Sequence, residues 1–246
     1  AEEHGLATGL VATSSITHAT PACFIAHQPD RDMYDAIAAD FMKTDIDVFI
    51  GGGMQNFNKR VDSMDLTKTL EKNGYALCTT IDQIAKSNAL KLAGLLAPEH
   101  MPKATERGDY LPIAAGKALS VLSKNKKGFF LMIEGSQIDF GGHANDAAYV
   151  KSELLDFDKV IGGILDFAEK DGHTLVIVTA DHETGGIGLN GTPKPYEATG
   201  FEPVFTTKAH TGALVPVFAF GPGAEQLMGV YENTTIFDKM KLLFGF

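Results

Sequence analysis

Apolar positions along the chain recur with two different spacings. Where they return every three or four residues they predict helices. Such segments cover 33–43 (Met33, Ile37, Phe41), 66–73 up to Gly74, 81–87, 113–122 after Pro112, 146–170 (Val150, Leu154, Phe157, Val160, Ile164) and 235–243. Short continuous apolar runs instead predict strands covered on both faces. These are GLVA at 9–12, DVFI at 47–50 ended by Gly51, Gly52 and Gly53, the short run 75–78, FFLMI at 129–133, TLVIVT at 174–179 and VPVFAF at 215–220. Pro216 marks the last as an edge strand or a strand start. Strand alternating with helix predicts an α/β three-layer sandwich, with a mostly parallel central sheet and helices on both faces. One domain spanning 1–246 accommodates all of it, with a short insertion at 183–209 over the site. Its least periodic part is 192–209.

Composition narrows the partners. The chain has 246 residues, 44% hydrophobic and 21% charged, with a net charge of −10. That acidic balance argues against nucleic-acid binding. No apolar run is long enough for a transmembrane helix, so no membrane partner is expected. Cys23 and Cys78 sit among apolar or small neighbours without a CxxC pair, and both read as buried free thiols.

The chemistry-bearing residues fall just after predicted strands, where ligands gather in such sheets. FFLMI runs into Glu134, Asp139 and His143, TLVIVT runs into Asp181 and His182, and His210 precedes VPVFAF. Carboxylate oxygen with imidazole nitrogen suits zinc, and carboxylate with hydroxyl and water suits magnesium. Each alone has a plainer reading: Glu134 as a helix cap or ion-pair partner, and Asp139 and His143 as neighbours on one helical turn. Asp181 and His182 would point to opposite faces of a regular strand, so a turn after Ala180 must bring them together. The N-terminal part adds His18, Thr20 and Arg31. Arginine presents a planar fork that matches phosphate, although an arginine in PDRD is ordinarily a solvated surface group. The GGG at 51–53 suits packing or a turn better than a phosphate cradle. His4, His27, His100 and His173 read as ordinary histidines, and Lys124, Lys126 and Lys127 as a solvated turn.

Together LMIEGSQIDFGGHAND, HTLVIVTADHETGG and AHTGALVPVFAFGPGAEQLMGV resemble the alkaline phosphatases, as does the opening GLATGLVATSSITHATPACFIAHQPDR. The order of the motifs, from Gly5 to about Val230, makes the resemblance specific. The arginine segment and HTGALVPVFAFGPGA favour this family over related mutases and sulfatases. The resemblance implies two zinc ions and one magnesium ion. Asp139, His143 and His210 would hold the first zinc, and Asp181 and His182 the second. Glu134 and Thr20 would hold magnesium with His18 beside them, and Arg31 would clamp the phosphoryl oxygens. Phe140 stands where some members have lysine or histidine. The implied activity is hydrolysis of phosphate monoesters to inorganic phosphate by in-line transfer through a phosphoserine, in a periplasmic or secreted homodimer. The family's nucleophile, a serine in an Asp-Ser-Ala context upstream of GLATG, is absent from this chain. The chain is therefore expected to be the later part of a longer enzyme. The alternative reading is a non-catalytic metal- or phosphate-binding fragment of the same fold.

Overall fold

The computed structural model describes residues 1–191 and 201–246. The middle of the expected insertion, 192–200, lies outside the described residues. The chain divides into two compact units, residues 1–137 with 152–160, and 138–151 with 161–246.

The first unit is built on five strands: β1 (Ala7–Ser15), β2 (Val48–Gly52), β3 (Ala76–Cys78), β4 (Leu92–Leu95) and β5 (Phe129–Glu134). They lie in the order β3-β4-β2-β1-β5, every pair parallel. Parallel neighbours need crossovers. Helices α1 (Ala19–Cys23), α2 (Tyr34–Asp40), α3 (Met54–Asn58), α4 (Leu66–Lys72), α5 (Ile81–Lys86), α6 (Ala104–Arg107) and α7 (Tyr110–Leu122) occupy those connections. The core holds Leu10, Ile37, Phe41, Phe49, Phe57 and Leu70, with Phe49 stacked on Phe57 and Phe41 set at an angle to both.

β1 is buried along its whole length. The sequence pattern ends this strand at Ala12, where it turns polar, but the structure carries it through Thr13, Ser14 and Ser15. Buried polar groups are tolerated when they are hydrogen-bonded, and these are. Ser14 N–H donates to Ser136 Oγ at 3.2 Å, Ser15 N–H donates to His100 Nδ1 at 3.0 Å, and Gln137 Nε2 donates to the Thr13 carbonyl at 2.8 Å. The strand thus presents a polar C-terminal end inside an apolar sheet.

The glycine run corrects a second boundary. β2 does not stop at Gly51 but includes Gly51 and Gly52. A Cβ on Gly52 would lie 1.9 Å from the Glu99 carbonyl oxygen, and Gly53 turns into α3 with φ of 93°. The run is a close backbone approach followed by a turn. Gly52→Ala is expected to cost about 1–3 kcal/mol or more, because backbone rather than a flexible side chain must move. An unchanged urea midpoint would contradict this.

β4 has no counterpart in the sequence reading. Its segment is leucine- and alanine-rich rather than β-branched, so propensity hides it. Gly94 lets it pack: a Cβ there would meet Ile84 at 2.8 Å and Ile50 at 2.9 Å. α7 begins at Tyr110, ahead of Pro112, since the first helical turn does not need a proline N–H. Tyr110 then donates its buried hydroxyl to the Ala12 carbonyl at 2.9 Å.

α8 (Gln137–Ala144) and α9 (Ala147–Asp171) contribute residues to both units. Asp146 caps α9 by accepting from Tyr149 N–H, and Gly172 ends it in the left-handed conformation. The second unit adds β6 (Val176–Val178), β7 (Glu183–Thr184), β8 (Gly188–Gly191), β9 (Phe201–Val204), β10 (His210–Thr211), β11 (Phe218–Phe220) and α10 (Thr235–Phe244). They pair antiparallel as β6 with β11, β7 with β10 and β8 with β9. Residues 201–204, inside the least periodic part of the expected insertion, are therefore a strand. The runs at 174–179 and 215–220 shorten to three residues each.

Both cysteines are free. Cys78 is buried, and burial pushes its thiol up. Cys23 is exposed, which corrects the reading of two buried thiols. Among the described residues no helix is long and apolar enough to cross a membrane.

Candidate metal centre

Asp139 and His143 are four residues apart on α8, so one helical face carries both. The two glycines between them, Gly141 and Gly142, lie within the helix and leave its surface bare. A Cβ on Gly141 would lie 2.8 Å from Val150, and one on Gly142 2.8 Å from the Thr184 carbonyl oxygen. Their bareness lets β7 and the start of α9 lie against this helix. His210, on β10, completes the cluster. His143 Nε2 is 3.5 Å from Asp139 Oδ1, His210 Nε2 is 3.7 Å from the same oxygen, and the two imidazole nitrogens are 3.1 Å apart. Tetrahedral zinc with bonds of about 2.0–2.1 Å separates its ligand atoms by about 3.3–3.4 Å. The triangle fits that ion. His143 Nδ1–H donates to the Lys208 carbonyl at 2.6 Å. That bond places the proton on Nδ1 and leaves Nε2 as a lone-pair donor towards the cluster.

Asp181 and His182 lie in the irregular backbone between β6 and β7. Freed from strand alternation, they meet: His182 Nε2 is 3.1 Å from Asp181 Oδ2. This edge also suits two ligands of one ion. The His182 ring stacks on the His210 ring with centroids 3.5 Å apart and planes 20° apart. The β7–β10 ladder fixes this arrangement, with His210 opposite Thr184 and Thr211 opposite Glu183. Thr211 donates its hydroxyl to Glu183 Oε2, while the Ile187 and Gly186 N–H groups donate to the same carboxylate at 2.9 and 3.1 Å. Those hydrogen bonds, Thr211 foremost, hold the Glu183 carboxyl below the usual carboxylate range. Glu183 thus ties the turn at 185–187 to β10.

The remaining expected site residues belong to the first unit. β1 pairs in parallel with β5, Ala12 opposite Glu134. Glu134 and the segment leading to His18 and Thr20 therefore leave the sheet at the same end. Ser136 Oγ donates to Glu134 Oε2 at 2.6 Å and lies 3.0 Å from Ser14 Oγ. His18 opens α1, and Thr20 lies in its first turn. Arg31 is exposed, with Nη2 3.5 Å from His18 Nε2. His100, read as an ordinary histidine, stands edge-on to His18 with centroids 5.4 Å apart. Burial holds its imidazole below the ordinary value, consistent with Nδ1 accepting from Ser15 N–H.

Ser136, Thr184 and the Lys208 carbonyl are site groups that the sequence reading passed over. Hydroxyls and carbonyls carry no signature of their own. The available clue was position, two residues after Glu134 and after His182.

Fold and cluster together describe an α/β protein with a candidate metal-binding site. The alkaline phosphatase family profile matches residues 1–204. The chain is 35% identical to alkaline phosphatase 4 of Bacillus subtilis (strain 168) over 99% of its own length and 68% of the relative's. It is 30% identical to the alkaline phosphatase of Escherichia coli (strain K12), over 100% and 66%. The solved alkaline phosphatase of the Antarctic bacterium TAB5 matches with a TM-score of 0.92 and 46% identity, over 99% of this chain and 74% of that one. A TAB5 variant solved with magnesium in its M3 site also gives 0.92, at 45% identity, over 100% and 74%. The chain thus spans about two thirds of the length of the curated relatives it matches. It belongs to the alkaline phosphatase family, a metal-dependent family of phosphomonoesterases.

Proposed function

We propose that this chain carries the zinc- and phosphate-binding part of a phosphomonoester hydrolase. The observation that supports it most directly is the Asp139–His143–His210 triangle, whose edges match tetrahedral zinc. In this reading those three residues hold the first zinc and Asp181 with His182 the second. In the first unit, Glu134 and Thr20 hold magnesium with His18 beside them. Magnesium bound in a TAB5 relative is consistent with that assignment. Zinc in such a site acts as a Lewis acid on phosphoryl oxygen and lowers the pKa of water.

The chain's own residues have separable tasks. The Arg31 guanidinium binds two equatorial phosphoryl oxygens and offsets the charge that builds on them in phosphoryl transfer. The His143 Nδ1–H bond to the Lys208 carbonyl keeps that ring in one orientation. Ser136 holds the Glu134 carboxylate in place. The substrates are small phosphate monoesters, the product is inorganic phosphate, and the setting is a periplasmic or secreted homodimer.

Zinc titration followed by metal analysis tests the assignment. The chain offers three ligands to the first ion and two to the second, so the first equivalent is expected at Asp139, His143 and His210. Zinc held by Asp181 and His182 with that triad empty would overturn the order. Hydrolysis of a chromogenic phosphomonoester, with and without zinc, then separates enzyme from binding protein. Full metal loading without turnover would establish the binding reading for this chain.

A further inference from the structure

One hydroxyl touches both groups of metal donors. Thr184 Oγ1 lies 2.5 Å from Asp139 Oδ1 and 3.2 Å from His182 Nδ1. Asp139 belongs to the zinc-like triangle and His182 to the second pair. A hydroxyl has one proton to give and lone pairs to receive with. A carboxylate can only accept, so Thr184 donates to Asp139. It is then free to accept from His182 Nδ1–H, which places the His182 proton on Nδ1 and turns the Nε2 lone pair towards Asp181, 3.1 Å away. A single O–H thus orients a carboxylate of one group and fixes the tautomer of an imidazole in the other.

The backbone is shaped to bring that hydroxyl there. Gly142, one turn along α8 from Asp139, has no Cβ. One added there would lie 2.8 Å from the Thr184 carbonyl oxygen and 3.0 Å from its Cβ and Cγ2. The bare helix surface is what allows β7 to approach Asp139. From the other side, Thr184 is paired with His210 across the ladder, so its position is fixed relative to a second member of the triangle.

We propose that Thr184 is a positioning residue that couples the two zinc sites, so that filling one pre-orders the other. The proposal rests on the zinc assignment made above and extends it. Partners of metal-binding side chains commonly change metal affinity by about 10–100-fold. Thr184→Val keeps the shape and removes the hydroxyl, and Thr184→Ser keeps the hydroxyl.

The test is zinc binding measured by competition with a chromogenic chelator, together with the visible spectrum of the cobalt-loaded protein. With Thr184→Val, zinc affinity is expected to fall about 10–100-fold at both sites, the cobalt bands to shift, and the second equivalent no longer to bind more readily after the first. Thr184→Ser is expected to bind within a few-fold of the parent with the parent spectrum. Thermal melts of the chelator-treated proteins should coincide, because the role lies in ordering metal donors. Thr184→Ala replaces the valine variant if the latter fails to fold. Wild-type affinity and spectrum in the hydroxyl-free variant would overturn the coupling while leaving the zinc assignment intact. A parent protein that binds no zinc would overturn both.

Discussion

Arg107→Met is expected to lower the stability of the protein by about 3–5 kcal/mol, the range for removing one member of a buried ion pair. Arg107 Nη2 lies 2.6 Å from Glu153 Oε2 and 2.7 Å from Asp156 Oδ2, with side chains 1%, 0% and 7% exposed respectively. The guanidinium also donates to Glu153 Oε1 at 3.1 Å and to the Pro102 carbonyl at 3.0 Å, and Ala104 N–H donates to Glu153 Oε1 at 2.8 Å. The cost comes from what is left behind, two carboxylates out of water without their cation. Arg107→Met combined with Glu153→Leu and Asp156→Leu removes all three charges, and most of the loss should then be recovered. Urea unfolding of the two variants separates the cases. A single variant within about 1 kcal/mol of the parent would show that water reaches the network. The exposed Lys68–Asp65 pair, 3.5 Å apart with the lysine 80% exposed, is a control from which little change is expected.

That network also shows where the sequence pattern misleads. The apolar spacing through 146–170 identifies α9 correctly, including its Asp146 start. It does not identify all of the buried face, since Glu153 and Asp156 are buried while Leu154 is 52% exposed. A distant arginine decides burial there, and no local period reports it. The same applies to β1, where Thr13, Ser14 and Ser15 read as the end of a strand. Their partners Gln137, Ser136 and His100 lie more than eighty positions away. β4 was hidden for a different reason, leucine and alanine in place of β-branched residues.

The candidate site was legible in proportion to its chemistry. Carboxylates and imidazoles after apolar runs stood out, and the order of the motifs identified the family. Asp139 and His143 needed only the helical period to meet, whereas Asp181 and His182 needed a departure from strand geometry that only the backbone reveals. Thr184 carries no signature at all, because a hydroxyl becomes informative once its two partners are in place. Gly141 and Gly142, between Asp139 and His143, would by sequence also permit a tight non-helical turn. Their purpose, bare surface for β7 and α9, appears only in three dimensions.

His210→Ala is expected to reduce first-site zinc affinity by more than about 100-fold, beyond the range for losing a mere partner of a ligand. Two donors would remain where tetrahedral protein sites ordinarily supply three or more. The consequence extends to stability, because an ion that binds only the folded state stabilises it by mass action. At a free zinc concentration about 100 times Kd that amounts to about 2.7 kcal/mol. The parent should therefore melt at a higher temperature when zinc is added, and the variant should lose most of that increment. His210 also stacks on His182, so some loosening of the second pair is expected with it. The ladder itself should survive, since β10 pairs with β7 through the backbone and Thr211 still donates to Glu183. The zinc-free melting temperature of the variant should accordingly match that of the zinc-free parent. A variant that retains the full zinc-dependent increase would remove His210 from the site. A variant already destabilised without zinc would make the histidine a packing residue, its ring closing the stack rather than holding an ion.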